Sequence, residues 1–438
     1  MHFFSAQCWR LPFVGSVGSG LILLFSTPSF AYADLIFHDR FEQVGISPTP
    51  TGLLNDTGID WCKNYDNNYL DCPVSSHPDQ DGDHGRDVLA RQGLLEKVGA
   101  GAAGFDYTKL DVNGNDLPAS ASDWSCVRDN HTGLIWETKV DEPSHLRHRE
   151  HSYSWYNPDP DTNGGDTGMQ DGGSCTDSDC DTLGFVQAVN AQGLCGDRQW
   201  RMPTRMELHS LTHQGQVFPA IDTDYFPEAM SWEHWSASSH AVSPDIAWGV
   251  DFFEGLGGYS LQKGFTLKIR LVSGGKSAAM MMPTNVWAIG PDSCNRDGLP
   301  RTTPSSDFTA IGDGSIVRHE TTGLEWQRCA YGQTWDGTTC AGLATTRNWQ
   351  DALAVADNAG DNWRLPNINE LRSIVEECRT SPAINRMVFP DASSEGIWSA
   401  SPSATYAGWA WIVFFGLGYD SWTYQIFDNG IRLVRGGE

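Results

Sequence analysis

Past its first 33 residues the chain has no apolar run approaching the roughly 18 residues that a membrane-spanning helix needs, so no membrane span is expected. Basic residues are scarce as well: 29 Lys and Arg stand against 55 Asp and Glu, a formal charge of −26. That sign excludes nucleic acid as a partner and argues against polyanions in general, leaving only a local patch such as His145 to His151 to serve one. Catalytic signatures are missing in the same way, with no GxSxG elbow, HExxH helix or phosphate loop. The clustered CxxC pairs that hold zinc are absent too.

What the sequence does have begins with an export signal over residues 1–33. Arg10 precedes an apolar stretch from Leu11 to Phe25, and Ala31-Tyr32-Ala33 offers a cleavage site, so the mature chain is expected to start near Asp34. Of 11 cysteines, only Cys8 is lost on cleavage. An even number in an exported chain favours disulfides, because oxidising compartments pair thiols. The close pairs Cys62/Cys72, Cys175/Cys180 and Cys329/Cys340 suit small bridged loops. Cys126 with Cys195 and Cys294 with Cys378 follow only if bridges stay within repeats.

The chain repeats itself. Thr132-Gly133-Leu134-Ile135-Trp136-Glu137 returns as Thr322-Gly323-Leu324-Glu325-Trp326-Gln327, and Trp200-Arg201-Met202-Pro203 as Trp363-Arg364-Leu365-Pro366. Trp235 and Trp398 each open a Trp-Ser-Ala-Ser motif, Trp248 and Trp411 follow at equal spacing, and both copies close on an Ile-Arg-Leu-Val strand at Ile269 and Ile431. The organisation expected is an acidic segment over 34–118, one copy over 119–275, a linker over 276–310 and a second copy over 311–438. The first copy carries an Asp/Gly-rich loop insertion around 159–181. Each copy reads as an early strand, a helix before WRxP, a second helix after it, and several short strands. Thr204 with Glu207 and Asn367 with Glu370 fit capping boxes, which explains the repeated glutamates without catalysis. The Trp-Arg pairs at 200/201 and 363/364 are expected to stack.

At these residues the chain resembles the Lcl C-terminal domain family, named for the Legionella collagen-like adhesin. The family pattern of TGLxW, WRLPxxxEL, WSxS, AW-x-V-x-F and xRLVR is met twice, with Met202 and Ser273 as departures in the first copy. The resemblance implies an α+β architecture of two tandem C-type lectin-like domains, loop-rich and disulfide-bonded, each with two helices and short twisted antiparallel strands. That fold is related to formylglycine-generating enzymes. It also implies adhesive binding, known in the family for sulfated glycosaminoglycans, a ligand class at odds with this acidic chain.

Candidate sites are of three kinds. Asp159, Asp161 and Asn163 match the first positions of a calcium loop and Asp79, Asp81 and Asp83 form a second oxygen-rich cluster, so these loops are either solvated acidic turns or sites whose cofactor would be calcium. Position 12 of the first loop is Gln170, which lacks the bidentate carboxylate. Tyr259 in the first copy and Tyr419, Trp422 and Tyr424 in the second are not scaffold landmarks and are candidate contacts for a glycan or protein. His131, His209, His213, His234 and His240 have no matching histidines in the second copy and are either local surface residues or a copy-specific site. No catalytic residue is assigned. The function expected is an exported bacterial binding or adhesion protein, in periplasm, at the cell surface or outside the cell, with an enzyme on the same scaffold or a structural envelope protein as alternatives.

Overall fold

A computed structural model describes residues 54–274 and 293–436. The expected signal stretch and residues 276–292 of the expected linker lie outside the described residues.

The segment before the repeats holds one short helix, α1 (Gly85–Arg91). The first copy then runs β1 (Tyr107–Leu110), β2 (Asp116–Leu117), β3 (Cys126–Asp129), β4 (Ile135–Glu137), β5 (Tyr153–Ser154), α2 (Thr182–Gln192), α3 (Arg205–His209), β6 (Glu233–Ser239), β7 (Ile246–Asp251), β8 (Tyr259–Gln262), β9 (Thr266–Leu267) and β10 (Val272–Ser273). The second repeats the order as β11 (Phe308–Ile311), β12 (Ile316–His319), β13 (Glu325–Gln327), β14 (Thr334–Trp335), β15 (Cys340–Ala341), α4 (Trp349–Asp357), α5 (Ile368–Arg372), β16 (Gly396–Pro402), β17 (Trp409–Phe414), β18 (Tyr419–Tyr424) and β19 (Val434–Arg435). This is a mixed helix–strand protein of small antiparallel sheets, with two helices in each copy.

Each copy closes on itself. In the first, the sheet order is β10-β4-β3-β1-β2, and in the second β11-β12-β13-β19, so the last strand of each copy pairs with the strand carrying its TGLxW tryptophan. Trp136 lies opposite Val272 and Trp326 opposite Val434. The glycine of TGLxW has φ near +72° in both copies, a conformation that lets the hairpin into these strands turn tightly. The boundary expected at residue 118 therefore falls inside a sheet. β1 and β2 lie upstream of it, and β11 runs across the boundary expected at 311, their pairing being too short to leave a periodic signal.

Two apolar clusters fill each copy. One gathers Trp136, Leu208, Phe226 and Val250, matched by Trp326, Leu371, Phe389 and Val413. The other gathers Phe185, Trp200, Trp235 and Leu271, matched by Trp349, Trp363, Trp398 and Leu433. Trp349, Leu353 and Ala356 are all buried on the inner face of α4, as their spacing requires. The arginine of each closing strand is itself core: Arg270 donates to the Glu137 carbonyl and Arg432 to those of Gln327 and Arg328. Five disulfides brace the loops, joining Cys62 to Cys72, Cys126 to Cys195, Cys175 to Cys180, Cys294 to Cys378 and Cys329 to Cys340.

The copies meet across a buried ionic seam. Asp420, on β18, is fully enclosed and receives Arg372 Nη2 at 2.6 Å and Arg205 Nη2 at 3.1 Å, the second from the other copy. The Gly257 amide of the first copy donates to the same carboxylate at 3.0 Å. A Cβ at Gly257 would stand 1.8 Å from His209 Nε2 of its own copy and 2.7 Å from Asp420 Oδ1 of the other, so only glycine fits between them. The exchange is reciprocal: Arg205 donates to the Gly418 carbonyl, and Arg372 to that of Gly255, its counterpart. Each guanidinium also lies over its own copy's Trp, Arg205 at 4.1 Å from Trp248 and Arg372 at 5.5 Å from Trp411.

Burial alone would raise the pKa of Asp420, but Arg372, His209 and Arg205 together hold it well below the usual carboxylate range. Removing the carboxylate strands two buried guanidinium groups. Asp420→Asn is expected to cost about 3–5 kcal/mol in chemical denaturation near neutral pH. Because the folded pKa is depressed, the carboxylate's contribution is complete above the unfolded value of roughly 4 and is lost as pH falls below it. The gap between wild type and variant should therefore shrink in acid.

Candidate functional site

The residues that repeat build a cleft in each copy. Thr204 and Asn367 cap α3 and α5 reciprocally with Glu207 and Glu370. The neighbouring arginines complete the arrangement in a way the expected Trp stacking does not describe. Arg201 and Arg364 lie bidentate on those glutamates, every contact 2.6–2.7 Å, because a carboxylate matches the guanidinium fork better than a ring face does. The second serine of each Trp-Ser-Ala-Ser motif, Ser238 or Ser401, accepts the first helical amide beside the cap.

In the second copy the chain's own leading segment fills this cleft. Asn369 donates to the carbonyls of Asn55 and Asp56, Asn367 to the Asp56 carboxylate, and Ser401 donates to Asp81 at 2.6 Å. Asp56, Asp81 and Asp87 form a buried acidic group around Thr57, which donates to Asp81, while the amides of Gly58 and Gly104 donate to Asp87. Burial first, then mutual repulsion, pushes Asp81 up to about 8; burial pushes Asp56 to about 6 and Asp87 well above its ordinary value.

The expected cation ligands have separate partners. Asp79 pairs with His84 at 2.6 Å, Asp81 faces Thr57 and Ser401, and Asp83 accepts the Gln80 amide. Asp159 accepts the Asp161 amide and the Thr162 hydroxyl, Asp161 is exposed, and Asn163 turns inward to Gly165 and Asn157. Among the described residues, the one group of three acidic, His or Cys side chains with ligand atoms within 4.8 Å is Cys62, Cys72 and Asp83, whose sulfurs are joined to each other.

The histidines are interior rather than superficial. His209, His213, His234 and His240 are buried and scattered, at the seam, against Phe105, against Phe252 and against Trp248, while His131 reaches the Leu54 carbonyl. His234 and His240 pack on rings of their own copy, so their burial is internal to it. Arg147, His148 and His151 are buried too, so no basic surface patch forms there.

The expected aromatic candidates divide. Tyr259 enters β8 through its backbone, its side chain lying outside the described ones. Tyr419 packs on Phe414 at the far end of β18, beside Gly258. Trp422 and Tyr424 sit on strand rather than in a loop, and they join residues that sequence reasoning passed over. Trp409 stands directly across from Tyr424, ring centroids 3.8 Å apart, and contacts Trp422 and Tyr406. Phe427 extends the row beyond Tyr424. Tyr406, Tyr424 and Phe427 are 42–53% exposed, which makes this a contiguous aromatic face on the surface. The leading segment buttresses it from behind, Lys63 donating to the carbonyls of Tyr406 and Trp409 and Tyr69 to that of Ala404. The corresponding first-copy positions are Ser243, Ile246, Tyr259, Leu261 and Gly264, so the scaffold does not require the face.

These features define a class: a disulfide-braced tandem-repeat protein in which two copies of one domain share a scaffold and differ at their surfaces. The Lcl C-terminal domain model matches residues 125–273 and 315–435, and the chain belongs to the Lcl C-terminal domain family. No curated protein and no solved structure matches it.

The buried acidic group generates a stability test. With its folded pKa raised, Asp81 supports the fold fully below about pH 4, and that support is lost as pH climbs through about 8. Asp81→Asn keeps an acceptor for Thr57 and Ser401 without the charge. Relative to wild type, its thermal midpoint should gain about 2–4 °C on going from pH 5 to pH 8.

Proposed function

We propose that the chain is an exported bacterial binding or adhesion protein that recognises an extracellular or envelope ligand, a glycan in the first instance, through the aromatic face of its second copy. The observation carrying this reading is the row Tyr406, Trp409, Trp422, Tyr424 and Phe427, exposed at Tyr406, Tyr424 and Phe427, half-buried at the two tryptophans, and specific to one copy. Flat amphipathic rings stack on sugar faces and lose little side-chain freedom on binding. Membership of the family, with its adhesive associations, supports the reading, and a C-type lectin-like fold for each copy is part of the proposal. Five disulfides fit an oxidising compartment, and no helix among the described residues is long and apolar enough to cross a membrane. A binding role over a thiol-dependent enzyme is supported by the engagement of all ten described cysteines in disulfides.

A glycan and surface-polysaccharide screen of the mature chain, with and without calcium, tests the proposal. Saturable binding is expected, and its dependence on calcium would report on the Asp-rich loops. Joint replacement of Tyr406, Tyr424 and Phe427 by Ala should weaken it by at least about 30-fold while leaving the melting temperature within a few degrees, since these side chains are already half in water. Retention of binding by that variant would remove the aromatic face from the ligand site.

A further inference from the structure

The cleft that the leading segment fills in the second copy stays open in the first. It retains a cavity of about 270 Å³, against about 40 Å³ where Asn55, Asp56 and Asp81 occupy its counterpart. Trp155, Val186 and Met202 wall it from the first copy, Leu299 from the stretch between the copies, and Glu377 from the second copy. The Cys294–Cys378 disulfide pins the far wall in place.

Two polar atoms in this mostly apolar cleft are buried without a hydrogen-bond partner, Ser239 Oγ and Glu377 Oε1. Both residues are more than nine-tenths buried. The adjacent Glu376 shows the contrast, its two oxygens taking the amides and hydroxyls of Thr302 and Thr303. Nearby cations are already committed elsewhere: Arg201 is bidentate on Glu207, and Arg205 is 3.1 Å from Asp420 but 3.9 Å from Glu377. Glu377 is thus the cleft's residual acceptor of negative sign, set where Asp81 stands in the second copy, each beside the second serine of its Trp-Ser-Ala-Ser motif. An unsatisfied buried acceptor is costly and is relieved by a ligand bringing a donor.

We propose that this cleft binds a small primary amine with an apolar body of about one ring, the ammonium group donating to Glu377 with Ser239 nearby and the ring held among Trp155, Val186, Met202 and Leu299. The site is separate from the aromatic face and does not depend on it. Charge complementarity sets the class: an ammonium group compensates the buried carboxylate, whereas a carboxylate ligand would be repelled by it.

Calorimetric titration of the mature chain with phenethylamine, 2-phenylethanol and phenylacetate tests this. Phenethylamine should saturate, with phenylacetate at least about 10-fold weaker. Glu377→Gln, which keeps the volume, should weaken the amine about 10-fold or more and leave the alcohol nearly unchanged. Val186→Trp, which fills the cleft from the half-buried face of α2, should abolish both. Near-ultraviolet dichroism of each variant confirms its fold. No saturation of wild type below about 10 mM amine, equal affinity for phenylacetate, or undiminished amine binding by either folded variant would each overturn the proposal.

Discussion

The enclosed carboxylate of Asp420 sets the relation between the two copies. A buried aspartate stays ionised most readily where cations meet it, and the two that do come from opposite sides of the seam, Arg205 from α3 and Arg372 from α5. Their guanidinium groups are in turn held over Trp248 and Trp411, tryptophans that the repeat places at equal positions. The ionic contact is therefore anchored in both apolar cores, and the copies have little freedom to slide. Gly257 shows how close the approach is, since a Cβ there would stand 2.7 Å from Asp420 of the other copy.

Fixing the copies in this way makes their differences consequential. The same cleft occurs twice, and its two fates follow from what lies next to it. The leading segment closes the second, its Asp81 satisfied by Ser401 and Thr57. The first is bounded by Leu299 and Glu377 and remains hollow. The aromatic face follows the same logic, because the strand pair β17–β18 and its flanks carry five rings where the matching positions around β7–β8 carry one, Tyr259, among Ser243, Ile246, Leu261 and Gly264. Duplication supplied two scaffolds, and divergence of side chains outside the cores gave each its own surface.

Much of the scaffold was legible because its causes are local or periodic. The capping boxes at Thr204/Glu207 and Asn367/Glu370 involve residues three apart. The inner face of α4 obeys helical spacing, and the recurring tryptophans announce positions where a thin domain needs large rings. Less was legible where partners are remote. Nothing near Arg201 indicates that it grips Glu207 rather than stacking on Trp200, and the short strands β1, β2 and β11 carry no alternation strong enough to move a boundary. Histidines absent from the second copy read as surface residues, yet four are buried, because burial depends on which groups the folded chain brings against them, such as Phe105, Phe252 and Trp248.

The sequence by itself determined that the chain is a tandem duplication, acidic, rich in cysteine and built on a repeated set of buried tryptophans, since self-similarity, composition and helix signals need no knowledge of distant contacts. Only the tertiary structure decided which Asp residues turn inward, that Trp409 stands against Tyr424 to make a face, and that Glu377 of one copy looks into the cleft of the other. Those outcomes rest on cross-strand register and on packing between copies. Both bring together residues tens to hundreds of positions apart, and in both the winning contact is set by desolvation and shape rather than by any spacing along the chain.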